Sequence, residues 1–114
     1  MTLEEGRDGD VQPELDRIAH EPARLKILAY LRVVKRADFV FLLSRTGLTW
    51  GNLSSHMSKL EDAGYIEVKK EIKDKRPHTM LSLTEKGRVA FETYRQNLLQ
   101  LLGDRQSEEQ NSKI

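Results

Sequence analysis

The spacing of apolar residues in the middle of the chain predicts two helices joined by a tight turn. Leu53, Met57 and Leu60 recur at helical intervals, so they share one side of a helix. Thr49, just before them, is a preferred N-cap residue, and Gly47 can adopt the positive φ that such a turn requires. A glycine turn followed by a capped amphipathic helix is typical of a helix-turn-helix unit.

The second helix of this unit, predicted over residues 49–63, is polar on the side opposite Leu53 and Leu60. At about 100° per residue, this side consists of small or hydrogen-bonding residues, which suits a helix that enters the major groove of DNA. An ordinary amphipathic surface helix would have the same pattern, so the segment alone leaves both interpretations open. The outward residues are Gly51, Asn52, Ser55, Ser58, Lys59 and Asp62.

Three helices are predicted before this one. A short helix over residues 13–19 and a longer one starting at Pro22 each open with a proline, which is favoured at the first helical position. Residues 37–46 form the helix that precedes the turn, with Asp38 near its positive end. The apolar run in residues 39–43 could instead form a buried strand, but the glycine turn and the capping threonine favour a helix.

Beyond Gly64 the apolar period changes from 3.6 to 2, which predicts a β-hairpin over residues 65–83. Residues 73–77 contain three basic residues and Pro77, which cannot donate a ladder hydrogen bond. We therefore expect residues 73–77 to project as a loop at the tip of the hairpin.

Thr84 is expected to cap a last helix over residues 84–102. The apolar residues of this helix cover a wider arc than one small core needs, and such an excess usually contacts a partner. We therefore expect this helix, helped by the short N-terminal helix, to form a homodimer. The predicted dimer-interface residues are Leu15, Ile18, Phe91, Tyr94, Leu98, Leu101 and Leu102.

Length and composition fit one small domain, because the chain has 114 residues of which 38% are hydrophobic. The chain lacks cysteine, which excludes disulfides, thiolate metal sites and cysteine nucleophiles. No apolar run is long enough for a membrane span or a signal segment, so we expect a cytoplasmic protein that contacts no membrane. The polar ends, residues 1–12 and 103–114, are predicted to be disordered tails on either side of a domain over residues 13–102.

Charge is unevenly distributed along the chain, although the net charge is only +1. Residues 1–16 contain one basic and six acidic residues, whereas residues 17–80 contain thirteen basic and seven acidic residues. The basic segment coincides with the helix-turn-helix and the hairpin, as a surface that faces phosphates requires. A solvated surface of mixed charge would also tolerate this modest excess.

Three sequence motifs stand out within this order of elements. They are E-P-A-R-L-K-I-L-A-Y-L at 21–31, G-L-T-W-G-N-L-S-S-H-M-S-K-L-E-D-A-G-Y-I at 47–66 and L-T-E-K-G-R-V-A-F at 83–91. Together they resemble prokaryotic transcriptional regulators of the ArsR-like and MarR-like kind, especially a compact winged-helix subfamily whose recognition helix reads G-N-L-S-x-H-x-x-K-L-E-x-A-G-Y. The resemblance implies a mainly α (α+β) winged helix-turn-helix fold with a two-stranded β-hairpin as wing. It also implies a homodimer that binds double-stranded DNA as a repressor or activator.

The resemblance further indicates residues for DNA contact. Carried over position by position, these are Thr49, Asn52, Ser54, Ser55, His56 and Lys59. The outward side of the helix and the basic hairpin add residues suited to phosphate or minor-groove contact. These additional residues are Ser58, Lys69, Lys73, Lys75, Arg76 and His78. Trp50 departs from the pattern, and its angular position beside the apolar side predicts packing in the core.

Enzymatic chemistry is not expected. Ser55, His56 and Asp62 could suggest a hydrolase, but adjacent helical residues point about 100° apart and cannot form the required serine–histidine pair. The histidines lie in three different elements, so neither a metal nor another cofactor is expected.

A second function remains open, because winged helices also serve as protein-interaction modules without binding DNA. Polar residues on the outward helix side, next to a basic hairpin, favour DNA. Exposed aromatic and leucine side chains would favour a protein partner. The sequence does not identify the operator or the regulated genes, and an unknown small-molecule effector stays among the candidate partners.

Overall fold

The computed structural model describes residues 14–112, and side chains only as far as Gly103. The described chain forms four helices and a small antiparallel sheet. Their order is α1 (Pro22–Val34), β1 (Arg36–Asp38), α2 (Phe39–Thr46), α3 (Trp50–Asp62), β2 (Ile66–Lys73), β3 (Arg76–Leu83) and α4 (Glu85–Ser112). The predicted tail over residues 1–12 lies outside the described residues and stays a prediction.

One hydrophobic core unites the helices with the inner side of the sheet. Leu31 of α1, Leu42 of α2 and Leu53 of α3 are fully buried. Leu81 of β3 and Phe91 of α4 belong to the same cluster of buried side chains. Removal of these apolar groups from water is the main favourable contribution to folding.

The three strands are antiparallel and lie in the order β1-β3-β2. β2 and β3 form the predicted hairpin, in which Ile66 pairs with Leu83 next to the core. β1 adds a short third strand at the base of the hairpin, where Ala37 pairs with Leu81. The predicted winged-helix fold is confirmed, and its sheet has one strand more than the predicted hairpin.

The short helix predicted over residues 13–19 is wrong for its described part, because residues 17–19 form only a turn. Oδ1 of Asp16 accepts hydrogen bonds from the N–H of Ile18 at 2.8 Å and of Ala19 at 3.1 Å. The other carboxylate oxygen of Asp16 accepts a hydrogen bond from the Tyr65 hydroxyl. An aspartate that bonds its own backbone in this way competes with helix formation.

The helix before the turn begins two residues later than predicted, since Ala37 lies in β1 and α2 starts at Phe39. Asp38 is the N-cap of α2 and has an extended backbone, with φ −75° and ψ 146°. Its Oδ1 accepts a hydrogen bond from the Val40 N–H at 2.7 Å, which fixes the start of the helix. The alternative of a strand over residues 39–43 is wrong.

The tip of the hairpin is a two-residue turn instead of the longer loop that was predicted. Asp74 and Lys75 have positive φ values of 53° and 64°, as in a type I′ turn. Pro77 lies within β3, opposite Ile72. β1 pairs only with residues 80–82, so the edge of β3 that faces away from β2 is unpaired at Pro77. Because proline has no N–H group, its place at this unpaired edge costs the sheet no hydrogen bond.

The last helix is capped as predicted but is longer than predicted. Oγ1 of Thr84 accepts a hydrogen bond from the Gly87 N–H at 2.9 Å and donates one to the Gly64 carbonyl at 2.6 Å. α4 then runs to Ser112, whereas the sequence pattern predicted its end at Leu102. The residues after Leu102 are mostly polar, so hydrophobic periodicity carries no signal for this extension.

Candidate nucleic-acid interface

Local hydrogen bonds form the helix-turn-helix as predicted. Gly47 ends α2 with a φ of 73°, and its N–H bonds to the Leu43 carbonyl. Thr49 then caps α3, because its Oγ1 accepts a hydrogen bond from the Asn52 N–H at 3.2 Å. The turn predicted at Gly47 and the N-cap predicted at Thr49 are therefore confirmed, and the predicted contact of Thr49 with DNA stays a prediction.

α3 has one buried side and one exposed polar side. Leu53 and Leu60 are fully buried, and Met57 is half-buried beside them. The opposite side offers amide, hydroxyl and ammonium groups that can form hydrogen bonds with base edges and phosphates. Its exposed residues are the predicted ones, Gly51, Asn52, Ser55, Ser58, Lys59 and Asp62.

His56 is half-buried at the border of this polar side, about 40° from Asn52 around the helix axis. Its Nδ1 is 3.2 Å from Nη1 of Arg24 and 3.8 Å from Oε1 of Glu21, at the start of α1. Arg24 is itself held by a hydrogen bond from its Nε to the Ile18 carbonyl at 2.8 Å. The structure therefore places the His56 ring between α3 and α1, and its predicted contact with DNA stays a prediction.

The wing, which we define as β2, β3 and their turn, has a basic tip. Lys73, Lys75 and Arg76 are exposed and form no ion pair within residues 14–103. Lys69, farther from the tip, lies 4.0 Å from Oε1 of Glu67. Exposed cations without a carboxylate partner are available to neutralise phosphates.

His78 differs from these cations because it is held within the domain. Its Nδ1 is 2.7 Å from Oδ2 of Asp38, so the pair joins β3 to the start of α2. Burial raises the pKa of Asp38, but hydrogen bonds from His78 and from the Val40 N–H lower this pKa more, so it lies below its ordinary value. His78 can contact a phosphate only through its other ring nitrogen while this pair is intact.

Trp50 is 62% exposed, contrary to the prediction that it packs in the core. Its ring lies against the buried ring of Phe39, with 4.7 Å between centroids and an interplanar angle of 51°. Together with Ser54, it borders a groove of about 590 Å³ between α3 and the wing. The angular position of Trp50 suggested burial. The sequence could not show that Phe39 is the outermost core side chain here, so that Trp50 lies on top of it and remains exposed.

Two residues predicted for the dimer interface belong to the core of the monomer. Phe91 is buried, and Tyr94 is only 3% exposed. The Tyr94 hydroxyl lies 3.0 Å from Nδ1 of His20. Since both side chains are buried without a partner chain, the prediction that they face a second copy is corrected.

Exposed apolar residues of α4 are Val89 near its start and a group of leucines over residues 99–102. Leu99 is 52% exposed and Leu102 is 70% exposed, and Leu101 is also exposed. The other predicted interface residues pack against the monomer core from partly buried positions. These residues are Leu15, Ile18 and Leu98.

Within residues 14–103, no three histidine or carboxylate side chains come together as a group that could hold a metal ion. None of the helices between residues 22 and 112 is long and apolar enough to cross a membrane.

Known proteins are similar to this chain in sequence and in fold. An uncharacterized protein of Methanocaldococcus jannaschii is 41% identical over 85 residues, which cover 75% of this chain and 92% of that protein. The structure of a transcriptional regulator homologue from Pyrococcus horikoshii has a TM-score of 0.73 and 31% identity, over 76% of this chain and 86% of that one. A mutant MarR of E. coli in complex with operator DNA has a TM-score of 0.56 and 24% identity, over 78% of this chain and 60% of that one.

A family model described as a winged helix DNA-binding domain matches residues 23–102. The matched segment contains the helix-turn-helix, the whole wing and the part of α4 that packs on the core. The chain therefore belongs to the winged-helix DNA-binding domain family.

Proposed function

We propose that this chain is a transcriptional regulator that binds double-stranded DNA sequence-specifically as a homodimer. In this proposal α3 enters the major groove, and the wing contacts the phosphate backbone or the minor groove. The observation that carries the proposal is the exposed polar side of α3 together with a wing tip that has three exposed cations. Membership of the winged-helix DNA-binding domain family supports it.

The first two turns of α3 are suited to base recognition. A recognition helix contacts base edges chiefly through its N-terminal residues, and Asn52 and Ser55 are exposed there. An asparagine can form two hydrogen bonds with adenine, to N6 and N7. Lys59, one turn after Ser55, is placed for a phosphate at the edge of the groove.

The wing tip is suited to contacts that do not depend on sequence. The type I′ turn holds Lys75 at the end of the hairpin, with Lys73 and Arg76 on either side of it. Three cations at one tip favour phosphate contact through counterion release. Arg76 in a narrow minor groove would instead recognise the shape of A·T-rich DNA.

The homodimer is proposed from the exposed leucines of α4 and from a general geometric argument. Two copies related by a two-fold axis present two recognition helices to two half-sites of a palindromic operator. The structure of mutant MarR in complex with operator DNA supports duplex DNA as the partner class for this fold.

A protein-interaction module is the second candidate function, and one observation favours it. Trp50, Val40 and Ile72 are exposed apolar side chains at α3, at α2 and on the wing. Exposed apolar groups of this kind occur in protein-docking surfaces. DNA binding must therefore be tested directly.

Selection of bound duplexes from a random pool should yield a defined site, and two variants then test the two surfaces. Asn52→Ala should relax the preference at one base by about 1–3 kcal/mol and hardly change binding to unrelated DNA.

Replacement of both Lys75 and Arg76 by Ala should weaken binding to all duplexes about equally. With four fewer cationic contacts per dimer, the slope of log K against log salt should become shallower by roughly 3.6.

Matched controls lie on other exposed surfaces. Gln96→Ala removes an exposed amide from α4, and replacement of Arg17 and Lys86 by Ala removes two exposed cations outside the wing. Neither control should change the selected site or the salt dependence. If no duplex is enriched, or if the two test variants behave like the controls, the protein-interaction module takes the place of the proposed function.

A further inference from the structure

Trp50 and Phe39 form an exposed aromatic ledge at the start of α3. Trp50 is the first residue of this helix and is largely exposed to solvent. Phe39 beneath it is 5% exposed and is fixed in the core, with its ring centroid 4.7 Å from that of Trp50. The contact holds a large apolar surface in place where the recognition helix begins.

The ledge lies on the side of α3 that faces the wing. Trp50, Ser54 and Met57 follow one another at helical spacing along this side. Val68 and Pro77 of the wing line the other wall of the groove. This side of α3 is therefore more apolar than the side with Asn52, Ser55 and Lys59, which lies about 140–180° from Trp50 around the helix axis.

The chemistry of the major groove determines what such a surface can contact. Base edges there offer hydrogen-bond donors and acceptors and one apolar group, the C5-methyl of thymine. The indole is uncharged and has a single hydrogen-bond donor, Nε1–H, at one edge of an otherwise apolar ring, so most of its surface has nothing to offer a phosphate. An indole at the first turn of a recognition helix is thus matched to a thymine methyl.

We infer that Trp50 is a specificity-determining residue that packs on the C5-methyl of a thymine, at the edge of each half-site nearest the wing. This inference rests on the proposed function, because it requires α3 to lie in the major groove. Asn52 would recognise one base by hydrogen bonds, and Trp50 would recognise another by apolar contact.

Thymine-to-uracil substitution provides a direct test, because deoxyuridine lacks only the C5-methyl. Each thymine of a selected duplex is replaced in turn, and binding is measured with labelled DNA. One position in each half-site should weaken wild-type binding by about fourfold per buried methyl, and Trp50→Ala should bind both duplexes equally. Trp50→Phe keeps an aromatic ring on the ledge and should retain part of the discrimination.

Fluorescence provides a second readout, because Trp50 is the single tryptophan of the sequence. Titration with the selected duplex should change the intensity or the wavelength of its emission. The deoxyuridine duplex should give a smaller change at the same saturation. Val33→Ala, which shortens an exposed apolar side chain on α1, serves as the control that leaves both readouts unchanged.

The outcomes separate this inference from the proposed function. If the duplex binds but the emission of Trp50 stays constant and every thymine tolerates the substitution, the inference is overturned and DNA binding stands. A uracil penalty of the same size in Trp50→Ala also overturns the inference. If no duplex binds at all, both fail, and a protein partner becomes the better explanation of the aromatic ledge.

Discussion

Gly87 lies where α4 packs closely against the backbone of Tyr65, just before β2. A Cβ atom added to Gly87 would lie 2.0 Å from the carbonyl oxygen of Tyr65, and backbone atoms cannot yield as a flexible side chain can. The same Tyr65 carbonyl accepts a hydrogen bond from the Thr84 N–H at 3.0 Å. The absence of a side chain at Gly87 therefore allows the first turn of α4 to pack against the Tyr65 backbone at the base of the hairpin.

Gly87→Ala should lower the free energy of unfolding by about 1–3 kcal/mol, because the added methyl group forces the backbone apart. Gly103→Ala is the matched control within the same helix, since a Cβ atom there meets nothing within 4 Å. The control should be neutral or should stabilise the helix by up to about 1 kcal/mol. Chemical denaturation measures both, and equal stability of the two variants would contradict the close approach.

Single residues differ in how well the sequence predicts them, and the range of their interactions explains why. Gly47 and Thr49 act within four residues of their own position, so local rules predicted the turn and the cap correctly. His56 and Tyr94 are defined by partners on other elements, Arg24 and His20. Hydrophobic periodicity holds no information about such partners.

At the scale of elements, Asp38 explains why one boundary was missed. The apolar residues that follow it fit the helical period, and that period does not reveal where the helix stops and β1 begins. Asp38 joins three elements, because it ends β1, caps α2 through the Val40 N–H and pairs with His78 of β3. A small third strand of this kind depends on pairing with residues far along the chain.

Asp38→Asn should retain the cap of α2, because an amide oxygen can accept the hydrogen bond, and should lose the charge interaction with His78. Near neutral pH we expect a loss of about 0.5–1 kcal/mol, since the pair is partly exposed. Asp38→Ala should cost about 1 kcal/mol more, because it also removes the cap. Urea denaturation of the three proteins measures these differences.

The pH dependence follows from the lowered pKa of Asp38. Because its folded pKa lies below the ordinary value of 3.8, the folded state favours the ionised carboxylate. The stabilisation is therefore complete above pH 3.8 and is lost as the pH falls through the folded pKa. The difference between wild type and Asp38→Asn should shrink on acidification. Asp62→Asn on α3 is the exposed control, and a constant difference down to about pH 2 would contradict the assignment.

For the whole molecule, the winged-helix fold and the order of its helices and hairpin from Pro22 onward could be predicted, because helices and strands differ in hydrophobic period and in the residues at their ends. The docking of residues 14–20 could not be predicted. Asp16 accepts a hydrogen bond from Tyr65, and His20 lies beside the Tyr94 hydroxyl. Burial and the neighbouring Asp16 carboxylate raise the pKa of Tyr65 to about 12. The segment with His20 packs against Tyr94, which is only 3% exposed. An aromatic residue that the sequence pattern assigned to the dimer interface is therefore buried within the monomer.

The dimer interface is therefore expected on the leucines of α4 that the monomer leaves exposed. Replacement of Leu99 and Leu102 by Glu should produce monomers without loss of the folded domain, because neither side chain belongs to the core. Ile72→Glu on the wing, a change at a comparably exposed apolar residue outside α4, should leave the dimer intact.

Sedimentation equilibrium at about 10–50 μM measures the association, since dissociation constants in this range correspond to a weak dimer. Because dimerisation stabilises the folded state by mass action, the melting temperature of the wild type should also rise with protein concentration, and that of the double variant should not. A wild type that sediments as a monomer, with a melting temperature independent of concentration, would show that the leucines of α4 serve another partner.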